Sequence, residues 1–235
     1  AFPGAKTHAV PYFWGTLGIV YRSDLIAKVP YSWSDLLNPS DALKGHVGMM
    51  LDYSDTLTPA LRLAGHSINT ADVTALKEAY EILLKQKPHV LTNRYSISFQ
   101  QENTDKNQLY LALAYSGDEL GLNGGDEDGP WKFVMPKEGT ALWVDCFAVV
   151  STSQHKPAAL EFLDFINRPE IAALNAIHVG NTTVNMSAEK ILHNNNVHGF
   201  SLYPSQRISQ GSMVYTPMSD ENLRLRNRII RAITR

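Results

Sequence analysis

The chain has 235 residues, 44% hydrophobic and 19% charged, and its 21 basic side chains against 23 acidic ones leave a formal net charge of −2. With 15 glycines, 12 prolines and no charge block or biased tract, this composition excludes collagen, long linkers and intrinsic disorder. A near-neutral balance, with pI about 6.5, supplies no basic field for phosphate, which excludes nucleic acid and anionic membranes as default partners and points to a small molecule. The length suits one large domain or two lobes. The single cysteine, Cys146, permits no internal disulfide and no multi-cysteine zinc site. No run approaches the about 18 apolar residues of a membrane span, and residues 1–10 lack the layout of an export signal; a mature secreted chain looks the same.

In chain order, Val10 to Tyr21 is apolar, aromatic and β-branched with inserted glycines, the pattern of a long crossover strand. Ser32 with Asp35 three residues on predicts a capped short helix, and Leu43 to Asp52 reads as a buried strand ending on a carboxylate. Helices follow over Thr56 to Ala64 and from Thr70 to about Lys87, where Pro88 stops the second. Gln108 to Tyr115 is a dense apolar strand followed by Asp118, and the Gly- and Asp-rich stretch Leu120 to Gly129 reads as turns. Strands are expected near Lys132 to Gly139 and Ala141 to Ser151, the latter carrying Asp145. Amphipathic helices are expected over Lys156 to Ile166, after Arg168 and over Leu223 to Ile233, the last with aliphatic residues inward and arginines solvated. Strands alternating with helices make an α/β fold, whose ligands sit at the carboxyl ends of strands, where Asp52, Asp118 and Tyr115 fall.

A carboxylate at a strand end is most often a cap or a turn residue. Here Asp52, Asp55, Asp118 and Asp145 come with Tyr115, Trp143 and Tyr203 nearby in sequence. Aromatic faces give cation–π contact and cover for methylenes, and carboxylates give charge-assisted hydrogen bonds, so the set suits a diamine better than an anion. No Gly-x-Ser-x-Gly, Walker loop or Gly-x-Gly-x-x-Gly is present, which removes the main support for a hydrolase or nucleotide enzyme. His193 and His198 lack ligand spacing and a third partner, and Asp126-Glu127-Asp128-Gly129 lacks the distal Glu of a calcium loop, so neither a metal nor a cofactor is expected.

The motifs Val10-Pro11-Tyr12-Phe13-Trp14-Gly15-Thr16, Leu43-Lys44-Gly45, Pro136-Lys137-Glu138-Gly139, Trp143-Val144-Asp145, Phe165 to Glu170 and Leu202-Tyr203-Pro204 run in order along nearly the whole chain. On these the chain resembles the spermidine- and putrescine-binding proteins of bacterial ABC importers. The resemblance implies a two-lobed α/β periplasmic-binding-protein fold of type II, with residues 16–143 and 212–235 as the second lobe and 1–15 and 144–211 as hinge and part of the first. It implies that the section of the first lobe preceding Pro-Tyr-Phe-Trp-Gly is absent from this sequence, leaving that lobe incomplete and open to self-association. The ligand residues it implies are Asp52 and Asp55 as an acidic pair, Tyr115 stacking on the ligand, Asp118 on an amine, Trp143 and Asp145 from the hinge side, Tyr203 closing the cleft, and Tyr215 as a polar contact. The implied activity is capture of putrescine or spermidine in the periplasm by hinge closure, without chemistry, for the membrane subunits of an ABC importer. A polyamine-sensing ectodomain or receptor feeding a membrane sensor protein is the rival expectation, and an enzyme the third.

Overall fold

The computed structural model describes residues 8–195 and 211–234. The chain divides into two compact units: Ala1–Gly15 with Trp143–Tyr203, and Thr16–Leu142 with Pro204–Arg235. Two strands run through the boundary, β1 (Val10–Arg22) between Gly15 and Thr16 and β6 (Ala141–Phe147) between Leu142 and Trp143.

The larger unit is a mixed sheet with helices. The inner half of β1 pairs antiparallel with β4 (Leu111–Tyr115), from Leu17 opposite Tyr115 to Tyr21 opposite Leu111, and on its other edge with β5 (Trp131–Val134). Beyond β4 lie β2 (Val47–Gly48) and β3 (Val90–Thr92), both parallel-paired through β2. β1 is apolar from Leu17 to Tyr21 because both faces are covered, the pattern of a strand central in an α/β sheet. On one face pack α1 (Trp33–Leu37), α2 (Tyr53–Leu63), α3 (Val73–Gln86) and the C-terminal α9 (Asp220–Thr234), burying Trp33, Leu36, Leu57, Leu61, Leu76 and Ile229 among others. α4 (Ser96–Glu102) and α5 (Asp118–Leu122) accompany a second cluster around Phe99, Leu109 and Trp131.

The smaller unit holds the outer half of β1, which pairs with β7 (Thr182–Thr183), together with α6 (Lys156–Ile166), α7 (Pro169–Val179) and α8 (Met186–Asn194). Its core is slight: Phe13, Ala172, Ala173, Ala176, Ala188 and Leu192. α6 is amphipathic as expected, yet of its apolar side chains only Leu163 is buried, while Leu160, Phe162 and Phe165 stand exposed, joined by Leu174 and Ile177 of α7.

Three expectations change. The strand expected over Leu43 to Asp52 is a 3₁₀ turn at Asp41–Leu43 and the two-residue β2, because only Val47 and Gly48 find ladder partners. Leu120 to Gly129 is not all turns: α5 occupies its start, entered through Gly117 at φ 99, where a side chain is disfavoured. In α9 the aliphatic residues do face inward, but Arg226 is also fully buried, donating through Nε to Asn222 Oδ1 at 3.0 Å and through Nη2 to the carbonyls of Ile68 and Thr70, both at 2.9 Å. Asn222 and two main-chain carbonyls take the place of solvent for Nε and Nη2, while Nη1 is buried without a hydrogen-bond partner among the described residues.

The Pro136-Lys137-Glu138-Gly139 motif has a structural use in this unit. Glu138 accepts from the Ser32 hydroxyl and from Trp33 N at 3.1 Å, Trp33 Nε1 donates to Gly139 O at 2.8 Å, and Arg62 Nε donates to Glu138 O at 3.1 Å. Gly139 itself sits at φ 81, and a Cβ on it would lie 2.2 Å from the carbonyl oxygen of Gly211. Gly139→Ala is therefore expected to lower unfolding free energy by about 1–3 kcal/mol, the cost of left-handed strain with a backbone collision added. Urea denaturation measures it; a midpoint equal to wild type would mean that the turn relaxes freely.

Candidate functional site

The site is assembled in the larger unit from the start of α2, the end of β4, the entry to α4 and the segment after β8 (Met213–Val214). Asp52 is the N-cap of α2, its Oδ1 accepting from Ser54 N at 2.8 Å and Asp55 N at 3.0 Å, the bonds by which an aspartate relieves a helix's unpaired amides. Its side chain is exposed. Three residues on, Asp55 turns inward and is buried, 8% exposed. Its Oδ2 accepts from the Tyr115 hydroxyl and its Oδ1 from the Tyr215 hydroxyl at 2.9 Å; that hydroxyl also lies 2.9 Å from Thr58 Oγ1, one turn further along α2.

Tyr115 links this carboxylate to a second one. As the last residue of β4 it directs its hydroxyl to Asp55, while its backbone N donates to Asp118 Oδ2 at 2.8 Å. Asp118 opens α5, is 7% exposed, and accepts at Oδ1 from the Tyr95 hydroxyl. A relay thus runs from Tyr95 through Asp118, Tyr115, Asp55 and Tyr215 to Thr58. Glu119, also buried, folds back to accept from Gly117 N at 2.9 Å.

The electrostatics follow from burial without counter-ions. Desolvation pushes Asp118 up to about 6 against the hydrogen bonds from Tyr95 and the Tyr115 amide, and it raises Asp55 against those from Tyr115 and Tyr215, with Asp52 adding to the rise. Glu119 is raised by burial too, offset in part by Lys132. The hydroxyls of Tyr95, Tyr115 and Tyr215 are held far above the usual phenol range by burial and by the carboxylates they serve. Among the described residues no ion pair reaches Asp52, Asp55, Asp118 or Glu119.

A hydroxyl has one proton. With that proton committed to a carboxylate, each tyrosine oxygen offers only lone pairs, so the cluster is a set of acceptors with net negative charge and aromatic walls. The set matches an ammonium, with three N–H donors and a positive charge, and repels an anion.

Of the residues expected from sequence, Asp55, Tyr115, Tyr215 and Asp118 are joined directly in this relay, and Asp52 stands beside it as a helix cap. Trp143 and Asp145 lie on β6 in the smaller unit, Trp143 half-buried against the Phe13 cluster and Asp145 exposed. Tyr203 and His198 lie outside the described residues. Tyr95 and Thr58 were not expected; Thr58 was hidden inside a helical pattern and Tyr95 in a polar stretch without periodicity. Among the described residues no cluster of three or more His, Cys, Asp or Glu is placed to hold a metal ion, and no helix is long and apolar enough to cross a membrane.

Residues 2–196 match the family model of bacterial extracellular solute-binding proteins. The chain belongs to that family. This solute-binding protein is 39% identical over 229 residues to a norspermidine sensor of Vibrio cholerae, covering 97% of this chain and 64% of the relative. It is 32% identical over 216 residues to a spermidine/putrescine-binding periplasmic protein of Salmonella typhimurium, covering 89% of this chain and 59% of that one. The solute-binding protein therefore spans about three-fifths of the length of these curated relatives. Among solved structures, a spermidine/putrescine ABC transporter substrate-binding protein from Streptococcus pneumoniae superposes with TM-score 0.82 at 24% identity, covering 97% of this chain and 69% of that one, which shows a shared fold. A spermidine/putrescine transporter protein from Listeria monocytogenes, described as putative, gives the same score at 25% identity, with 97% and 69% covered.

Proposed function

We propose that this chain is part of a periplasmic protein that captures a polyamine, holding an ammonium group on the Asp55 side of the tyrosine relay, and that it acts by binding alone. The observation that carries this reading is the pair of buried carboxylates, Asp55 and Asp118, met by tyrosine hydroxyls and by no cationic side chain among the described residues. Burying carboxylates without a cation costs several kcal/mol unless the cation arrives as ligand. The names of the relatives support a polyamine as that cation. Trp143, Asp145 and Tyr203 remain proposed contacts on the resemblance alone.

The ligand is delivered to an ABC importer on the first reading. Sensing through a membrane protein is the second, favoured by the relative at 39% identity being a sensor. We also propose that residues 1–15 and 144–211 form only part of a lobe; the exposed Leu160, Phe162, Phe165, Leu174 and Ile177 support this, as surfaces that further chain or a second copy would cover.

Calorimetric titration of the full-length protein with putrescine, spermidine and norspermidine tests the function. At least one is expected to bind with a Kd of about 1 µM or tighter, roughly −8 kcal/mol. Heats indistinguishable from dilution for all three would remove the polyamine reading. Equal affinity for acidic amino acids or sugars would remove the cation argument.

A further inference from the structure

Tyr95 touches both arms of the relay. Its hydroxyl donates to Asp118 Oδ1, and its ring centroid lies 6.1 Å from that of Tyr115 at an interplanar angle of 50°. Tyr95 is the residue that opens α4, and its backbone carbonyl accepts from Phe99 N at 2.9 Å, so the helix aims the hydroxyl. We propose that Tyr95 is a positioning residue of the cation site, fixing the orientation of Asp118 and backing the Tyr115 ring, so that a ligand ammonium is met by an ionised and oriented carboxylate. This rests on the polyamine reading above.

The surroundings of Asp118 leave this work to few groups. Glu119 follows it on α5 and opposes its ionisation; Tyr115 on β4 contributes its amide; Lys132 on β5 acts on Glu119; Arg94, just before α4, is engaged by Glu102 at 2.5 Å. Among the described residues the donors to the Asp118 oxygens are the Tyr95 hydroxyl and the Tyr115 amide. A hydrogen bond donated to a carboxylate favours its ionised form, and burial favours the neutral one. At Asp118 burial outweighs the hydrogen bonds, and the carboxyl is pushed up to about 6. Removing the Tyr95 hydroxyl raises it further. A cation binds the ionised form, so ligand affinity must rise with pH as Asp118 ionises and level off above; alkylammonium groups, titrating near 10, stay charged throughout. Without the hydroxyl the rise shifts to higher pH. The loss is therefore large where wild type is half ionised and small where both proteins are fully ionised, a dependence that loss of packing alone does not produce.

The experiment is calorimetry of the full-length protein with spermidine near pH 6 and near pH 8, for wild type, Tyr95→Phe, Asp118→Asn and the double variant. Tyr95→Phe keeps the ring and is expected to weaken binding about tenfold at the lower pH and less than about threefold at the higher, and to have no effect in the Asp118→Asn background. Carbon-13 NMR of the Asp118 carboxyl in the ligand-free protein is expected to show its titration moved to higher pH in Tyr95→Phe. An equal loss at both pH values, a loss that persists with Asp118→Asn, or an unmoved Asp118 titration would each overturn the proposal. Wild-type protein that binds no spermidine at either pH overturns the polyamine reading and the ligand role of Tyr95 with it; intact binding that ignores Tyr95→Phe overturns the role of Tyr95 alone.

Discussion

Asp55→Asn is expected to weaken polyamine binding by the full-length protein about a hundredfold or more, the largest effect of any single change in the relay. The side chain keeps its size and loses its charge. An amide in this place can accept at its oxygen from only one of Tyr115 and Tyr215, and its NH₂ then faces the other hydroxyl, so both the charge and the acceptor geometry offered to the ammonium are lost. A hydrogen bond to a charged group is worth about 1.5–3 kcal/mol, and leaving a buried charge without its partner costs about 3–5 kcal/mol, which places the loss near 3 kcal/mol, or about a hundredfold. Asp52→Asn separates charge from place: Asp52 is exposed and spends its oxygen on the amides of Ser54 and Asp55, so its loss should cost affinity only a few-fold. The ligand-free Asp55→Asn protein should also unfold at no lower temperature than wild type, because burial already disfavours the ionised carboxylate. Calorimetry and a thermal melt decide together: affinity within about threefold of wild type, in a protein that melts normally, removes Asp55 from the site.

The contrast between these two aspartates shows how far sequence could go. Asp52 and Asp55 form an Asp-x-x-Asp at a helix start, and both the N-cap and the third helical position accept an acid for the same reason, the unpaired amides of the first turn. Sequence places two acids there; only the packing of Tyr115 and Tyr215, from 60 and 160 residues away, shows that Asp55 is the buried one. α6 was readable to its ends because its apolar spacing is regular and Pro157 starts it, and α3 because Asp72 caps it. α4 was not: seven residues, an uncapped start at Tyr95 and three interior polar side chains give no period to detect. Tyr95 was missed with it, since an aromatic residue in such a stretch carries no mark of its target. Arg226 failed in the other direction. The arginines of α9 were expected in solvent, whereas Arg226 is buried on the apolar stripe with main-chain carbonyls of Ile68 and Thr70 as partners, which no side-chain pattern announces.

Trp33→Ala is expected to destabilise the larger unit by about 3–5 kcal/mol, a large share of the about 5–15 kcal/mol by which a domain of this kind is stable. Trp33, the first residue of α1, is fully buried in the core shared with the sheet, α2 and α3, so its removal exchanges an indole for a cavity in a close-packed interior. The indole N–H is also the donor that holds Gly139 O, on the turn whose Glu138 side chain meets Ser32 and Trp33 N at the start of α1 and whose Glu138 carbonyl is held by Arg62 of α2. Loss of the ring therefore loosens the turn and its hold on Arg62 at the C-terminal end of α2, the helix whose opposite end carries Asp52 and Asp55. Trp33→Phe separates the contributions: it keeps most of the burial and loses the hydrogen bond, an expected cost of about 1–2 kcal/mol. Urea titration reads both, with an unchanged m-value if the folded unit keeps its extent. An alanine variant less than about 1 kcal/mol below wild type would mean that the site around Trp33 collapses onto the gap, and that the turn is held to the C-terminal end of α2 by Arg62 and Glu138 without the indole.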